Sequence, residues 1–341
     1  MPTRSLKPLY LAFFTWLGLF SAPALACTIS ASPPVTELGT HSSFAIAGGN
    51  ISSSSTATGI RCVTLLEVVS NSYLALKFEG SIPPLKNTAN TDTIPLTISW
   101  TAGGPALSAE VMHDEHSTTI LGLLKASGGY ITLHYRTQAA TSIRAGVYES
   151  TLRMRWYYSM CLVGVGSLCV PENSTGLKRS GCLLGICLGA LTDWGSGELV
   201  TVKLRMVVER DCTISAPTVN FGTRPLPDTF DTISQSATVR CSIGDAYAVA
   251  LDDGKNASGT TRRMSNGTSF LEYDIFKGTS GTNRWGSTPT ERRSSTSADV
   301  APNVHDGVAT QSYHYRAQIR PAQAPVPAGA YKDTLRLSVI F

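Results

Sequence analysis

Charge is scarce in this sequence. Lys, Arg, Asp and Glu together make up 15% of 341 residues, and 28 basic against 24 acidic side chains leave a formal charge of +4. That balance is too weak to argue for nucleic acid or an anionic membrane as a partner. No C-x-x-C pair occurs, which argues against a zinc ribbon or a thiol redox motif. There is no heptad or long helical period. There is also no G-x-S-x-G elbow, P-loop or dinucleotide fingerprint, so no enzyme and no cofactor are expected. His113-Asp-Glu-His116 has metal-ligand residue types but no third ligand, and a solvated loop is the favoured reading.

What the chain does have is turns and short apolar runs. Thirty glycines and eighteen prolines punctuate stretches of Val, Ile, Thr and Tyr, the pattern of an all-β protein. Residues 1–26 read as a secretory signal: Arg4 and Lys7, an apolar run from Leu9 to Phe20, then Ala24-Leu25-Ala26. Cleavage there would lower the formal charge to +2. A lipoprotein reading, with Cys27 as the lipid carrier, is set aside because Ala24 stands where such signals usually carry Leu. Eight cysteines in an exported chain imply an oxidising compartment and permit four bridges.

An internal repeat organises the rest. Cys27-Thr-Ile-Ser returns as Cys212-Thr-Ile-Ser, Leu38-Gly-Thr as Phe221-Gly-Thr, and Arg61-Cys62 as Arg240-Cys241. His134-Tyr-Arg returns as His314-Tyr-Arg, and Ala145-Gly-Val-Tyr-Glu-Ser-Thr-Leu-Arg as Ala328-Gly-Ala-Tyr-Lys-Asp-Thr-Leu-Arg. The offsets run from 179 to 185 residues, in one order. Two tandem immunoglobulin-like β-sandwich domains are expected, over residues 27–210 and 211–341, with bridges Cys27–Cys62 and Cys212–Cys241. Tyr247 to Asp252 alternates before Asp253-Gly254, a hairpin signal.

The copies end differently. Val200, Val202, Leu204, Met206 and Val208 alternate with polar neighbours in the clearest strand of the chain, just ahead of the second copy. This strand is expected to complete the first domain in cis. The second copy closes on Leu335, Leu337, Val339 and Phe341, one face of a strand with no successor. It is expected to lack its last strand and to need one from another molecule.

The paired Cys212 and Cys241, Tyr247 to Leu251, Leu271-Glu-Tyr-Asp-Ile-Phe276, Trp285-Gly286 and the closing Gly329-x-Tyr331-x-Asp333-Thr-Leu335 resemble the spore coat protein U-like family, the pilin domain of archaic chaperone–usher pili. The resemblance is best from Cys212 to Phe341. It implies an incomplete immunoglobulin-like fold, completed first by a periplasmic chaperone and then by the next subunit at the outer-membrane usher. With no donor segment ahead of Cys27 after cleavage, the chain is expected to sit at a pilus tip, exported through the periplasm to the cell surface. The resemblance further implies attachment to an abiotic or host surface, and biofilm formation. A non-adhesive structural subunit and a secreted lectin-like protein are the alternatives.

An insertion from about Trp156 to Ser196 is peculiar to the first copy. Its cysteines can pair as Cys161–Cys169 with Cys182–Cys187, or nested as Cys161–Cys187 with Cys169–Cys182. Leu162, Val163, Val165, Leu168, Leu183, Leu184, Ile186 and Leu188 are candidate surface-binding loop residues. The competing expectation is that they fold back and bury. Leu121-Gly-Leu-Leu124 is a weaker candidate loop.

Overall fold

Alternation of apolar and polar residues makes strands, and two of them build the frame of the first half. In the computed structural model, Gly146–Val165 runs for twenty residues and pairs antiparallel with Tyr73–Phe78 on one side. On its other side it pairs antiparallel with Glu198–Glu209, from Gly146 opposite Val208 to Trp156 opposite Glu198. Glu198–Glu209 in turn lies parallel to Val35–Ser42. Ser52–Ser55, Leu133–Thr137 and Leu96–Ser99 form a second, three-stranded sheet. The structure describes residues 27–62, 66–68, 72–115, 129–165, 168–244 and 246–341, with backbone alone at 66–68, 115 and 162–165. The signal segment, His116 and residues 121–124 therefore lie outside it.

The second half has its own core. Its five-stranded sheet runs Cys212–Ser215, Ile233–Cys241, Gln311–Ile319, Phe270–Lys277, Arg262–Ser265, and a three-stranded one runs Arg293–Ser294, Ala248–Leu251, Leu337–Ile340. Trp156 anchors the first core and donates from Nε1 to the Thr58 carbonyl at 3.1 Å. Trp285 anchors the second and donates to the Val249 carbonyl at 3.1 Å. Each indole is buried with its one donor satisfied.

Local contacts repeat along with the sequence. Cys27 stands opposite Cys62 and Cys212 opposite Cys241, and both pairs are bridged. The Tyr148 hydroxyl donates to the Arg144 carbonyl at 2.7 Å, and that of Tyr331 to the Pro327 carbonyl at 2.8 Å. This tyrosine corner fixes the entry to the closing strand of each half. The all-β expectation holds, with three short helical additions among the described residues, two of them single 3-10 turns at Pro227–Thr229 and Ser295–Ser297. Ser43–Gly48 forms a helix, capped by the Ser42 side chain accepting from the Ala45 N–H. Its Ser43 hydroxyl meets that of Ser242 at 2.7 Å, joining the two halves.

Two local expectations are corrected. Asp253-Gly254 does not turn a hairpin: Ala248–Leu251 pairs with Leu337–Ile340 and Arg293–Ser294 instead. Gly254 has φ +87°, and its missing Cβ lets the Asp333 carboxylate approach, so the glycine serves a close contact. The insertion also begins later than Trp156. Residues 156–159 stay paired with 73–76, because Trp156, Tyr158 and Met160 are core side chains.

Candidate functional site

The first half shows what surrounds its strand Glu198–Glu209: Val35–Ser42 on one side and the closing strand Gly146–Val165 on the other. By the repeat, the matching walls in the second half are the segments near Phe221 and Leu335. Between them lies an open groove of about 560 Å³. Val219 and Phe221 stand on one wall and Tyr331, Leu335 and Leu337 on the other. Met264, Tyr273, Trp285 and Tyr315 form its floor. A further opening of about 520 Å³ continues past Tyr331, between Gly222–Pro227 and Val326–Gly329.

Burial measures the difference between the halves. Leu152, Met154 and Trp156 are 1%, 0% and 0% exposed, whereas their counterparts Leu335, Leu337 and Val339 are only partly buried. Val200, Val202, Leu204, Met206 and Val208 are all buried in the first core. Sealing five such side chains is worth roughly 1.5–3 kcal/mol each before entropic costs. Among the described residues, Leu337–Ile340 pairs only with Ala248–Leu251, so its groove-side edge has no ladder.

Of the four residues singled out on the closing strand, Leu335 and Leu337 line the groove. Val339, opposite Val249 in the ladder, is not part of that lining, and Phe341 lies under the Arg210 guanidinium at 5.3 Å. Val219, Phe221, Tyr331 and Asp333 also line the groove, and the repeat offset applied to Leu38, Tyr148 and Ser150 points to the last three.

The groove's apolar side chains are interrupted by Thr218, Lys332, Asp333 and Thr334, of which Asp333 is the acid. Asp333 accepts from the Tyr273 hydroxyl at 2.7 Å and from the backbone N and Nδ2 of Asn256, each at 3.1 Å. Burial, then the Asp333 carboxylate, pushes the Tyr273 phenol well above its ordinary range. Arg262 is fully buried beside the floor and donates to the carbonyls of Leu251, Asp252 and Trp285. Burial first, then the charge of Arg284, lowers its pKa to about 10.

The insertion forms a second feature. Its cysteines pair in sequence, Cys161–Cys169 and Cys182–Cys187. Arg179 is buried between the bridges and the sheet. It donates to the Gly189 carbonyl and to Ser159 Oγ, lies 3.3 Å from Cys169 Sγ and stacks over Tyr73. Beyond this anchor, Cys182 faces Cys187 and Leu183 faces Ile186 in a two-residue hairpin. Leu184 and Gly185 at its tip have φ +49° and +83°, the signs of a type I′ turn. Leu184 is 96% exposed and Leu183 76%, and Leu168, Ile186 and Leu188 are exposed too. The side chains of Leu162, Val163 and Val165 lie outside the described residues. His113 Nε2 meets both backbone groups of Ser108, a loop contact.

Two cores, four disulfides and a β-rich fold define a disulfide-bonded, duplicated β-protein. The family model "Spore Coat Protein U domain" matches residues 198–338. The chain also matches a solved structure at 30% identity and a TM-score of 0.71, over 93% of this chain and 100% of that one. That structure is of the CsuC–CsuE chaperone–tip adhesion subunit pre-assembly complex, from archaic chaperone–usher Csu pili of Acinetobacter baumannii. The chain belongs to the spore coat protein U-like family of archaic chaperone–usher pilus subunits. The likeness to a chaperone-bound subunit supports a chaperone as partner.

Much lower scores join it to the CooA pilin subunit of enterotoxigenic Escherichia coli (14% identity, 54% of this chain and 97% of that one, TM-score 0.27). The CupB6 tip adhesin of Pseudomonas aeruginosa is similar at 11% identity, 92% and 94% coverage and a TM-score of 0.30. Scores that low do not establish a shared fold. No curated protein sequence matches the chain.

Proposed function

We propose that the chain is an adhesive subunit at the tip of an archaic chaperone–usher pilus, with an adhesin unit over 27–210 and a pilin unit over 211–341. The pilin unit accepts a strand in its groove, first from a periplasmic chaperone and then, at the outer-membrane usher, from the next subunit. The carrying observation is internal to the molecule. One closing strand is covered by Glu198–Glu209, while its copy borders a groove of matching position, lined in part by apolar side chains. Strand addition would seal that lining and supply the missing ladder. Left open, such an edge is an aggregation site, which is a physical reason for a dedicated chaperone.

Adhesion rests on the hairpin. A leucine almost fully in water, at a backbone conformation that disfavours a side chain, harms both solubility and folding. Asn or Gly would suit the position better. An anchored, disulfide-closed leucine tip fits contact with an abiotic or host surface, and hence biofilm formation. This favours the adhesive reading over a purely structural subunit.

The test is co-expression in a periplasm with the cognate chaperone. Leu337→Asp places a charge on the groove wall, and the chaperone complex should be lost. Capture of that variant at the wild-type yield would refute strand acceptance in this groove.

A further inference from the structure

At one inward position the second closing strand carries a charge that the first lacks. Ser150 in the first half faces Leu204 of the covering strand. Its hydroxyl is spent on the Pro83 carbonyl at 3.0 Å, so a leucine beside it meets no unsatisfied group. The same place in the second half holds Asp333, a lining residue of the groove. Its carboxylate is held rather than incidental: the Tyr273 hydroxyl and two Asn256 donors bind it, and Gly254 makes room for it. Three donors leave part of its accepting capacity unused, because an ionised carboxylate offers about four lone-pair sites. That remainder borders the open groove.

We propose that Asp333 sets the sequence of the strand this groove accepts, a reading that rests on the strand acceptance proposed above. In the register of Glu198–Glu209, the occupant's middle inward residue falls beside Asp333. A leucine there would strip water from the carboxylate and return nothing. A threonine or serine would donate to it in a charge-assisted bond. The preferred partner is an apolar strand interrupted at its centre by a hydroxyl side chain, and the chain's own all-apolar strand is disfavoured in that groove.

The experiment uses the full chain purified in complex with its chaperone. Fluorescent peptides displace the chaperone, read as the concentration giving half release. One peptide carries the chain's own residues 197–209, the second the same sequence with Leu204→Thr, and the third with Met206→Thr. Burial alone favours leucine over threonine, yet the Leu204→Thr peptide is expected to be stronger by about fivefold. The Met206→Thr peptide, facing apolar surface, is expected to be weaker. In an Asp333→Ser chain the own-sequence peptide regains its lead. In Asp333→Asn, which keeps the shape and loses the charge, the gap closes. An own-sequence peptide equal to or stronger than Leu204→Thr on the wild-type chain overturns the assignment to Asp333. So does a gap that survives both substitutions. If no peptide releases the chaperone, the groove is not a strand acceptor, and both proposals fall together.

Discussion

Met154 and Leu337 hold the same place in two copies of one strand, and only Met154 has a partner on both sides. Met154 stands between Phe78 and Val200 and is fully buried. Among the described residues Leu337 pairs with Leu251 alone, and it borders a groove. The stability of the first half therefore depends on a segment just ahead of Cys212, and that dependence can be measured.

Leu204→Ala removes a buried side chain from the centre of the covering strand. A loss of about 2–5 kcal/mol is expected for a core leucine. Hydrogen exchange should show faster opening across 146–165 and 198–209, with 233–241 and 311–319 unchanged. Equal loosening of both halves would mean that their cores are not independent.

Leu184→Gly relieves a left-handed leucine at an exposed tip. Stability should hold or rise by up to about 1 kcal/mol, since the strain relieved and the chain entropy gained are of similar size. Retention on a hydrophobic surface should fall severalfold, and further with Leu183→Ser. Undiminished retention in the double variant would remove the hairpin from the adhesive surface.

Glu79 receives Arg153 at 3.0 Å and a shorter contact from Arg155. The hydrogen bond from Arg155 lowers its pKa from the ordinary 4.5, burial opposes this, and Arg153 adds to the lowering. A depressed carboxyl stabilises the fold above its unfolded pKa, and that stabilisation is lost as pH falls through the lower folded value. The wild-type first half should therefore weaken below about pH 4.5. Glu79→Gln should flatten that part of a pH–stability profile followed by thermal unfolding.

Replacing Cys212 and Cys241 together with serine opens a bridge spanning 29 residues. A loss of about 2–5 kcal/mol is expected. Residues 216–221 follow directly and form one groove wall, so chaperone capture should weaken as well. Capture at full strength would show that the wall is held without the bridge.

Legibility in the sequence followed the range of the interactions. Strand Glu198–Glu209 was readable from its alternation, because period-two burial writes itself into consecutive residues. The repeat made Cys27–Cys62 and Cys212–Cys241 readable, since bridges tie positions both copies preserve. The repeat aligns Asp333 with Ser150, but what holds its carboxylate was not readable. Its role depends on Tyr273 and Asn256, 60 and 77 residues away. Asp253-Gly254 misled for the same reason: a turn dipeptide carries no mark that its glycine is reserved for a distant carboxylate.

The residues alone spell out an all-β chain with a duplicated plan and one long alternating strand between the copies. Only the tertiary structure decided which apolar faces were covered. It sank Val200 to Val208 in the first core and left Leu335 and Leu337 beside open space, with Leu183 and Leu184 in water. The reason is geometric. Alternation says which side of a strand is apolar, but burial requires a second surface, and folding alone assigns that neighbour.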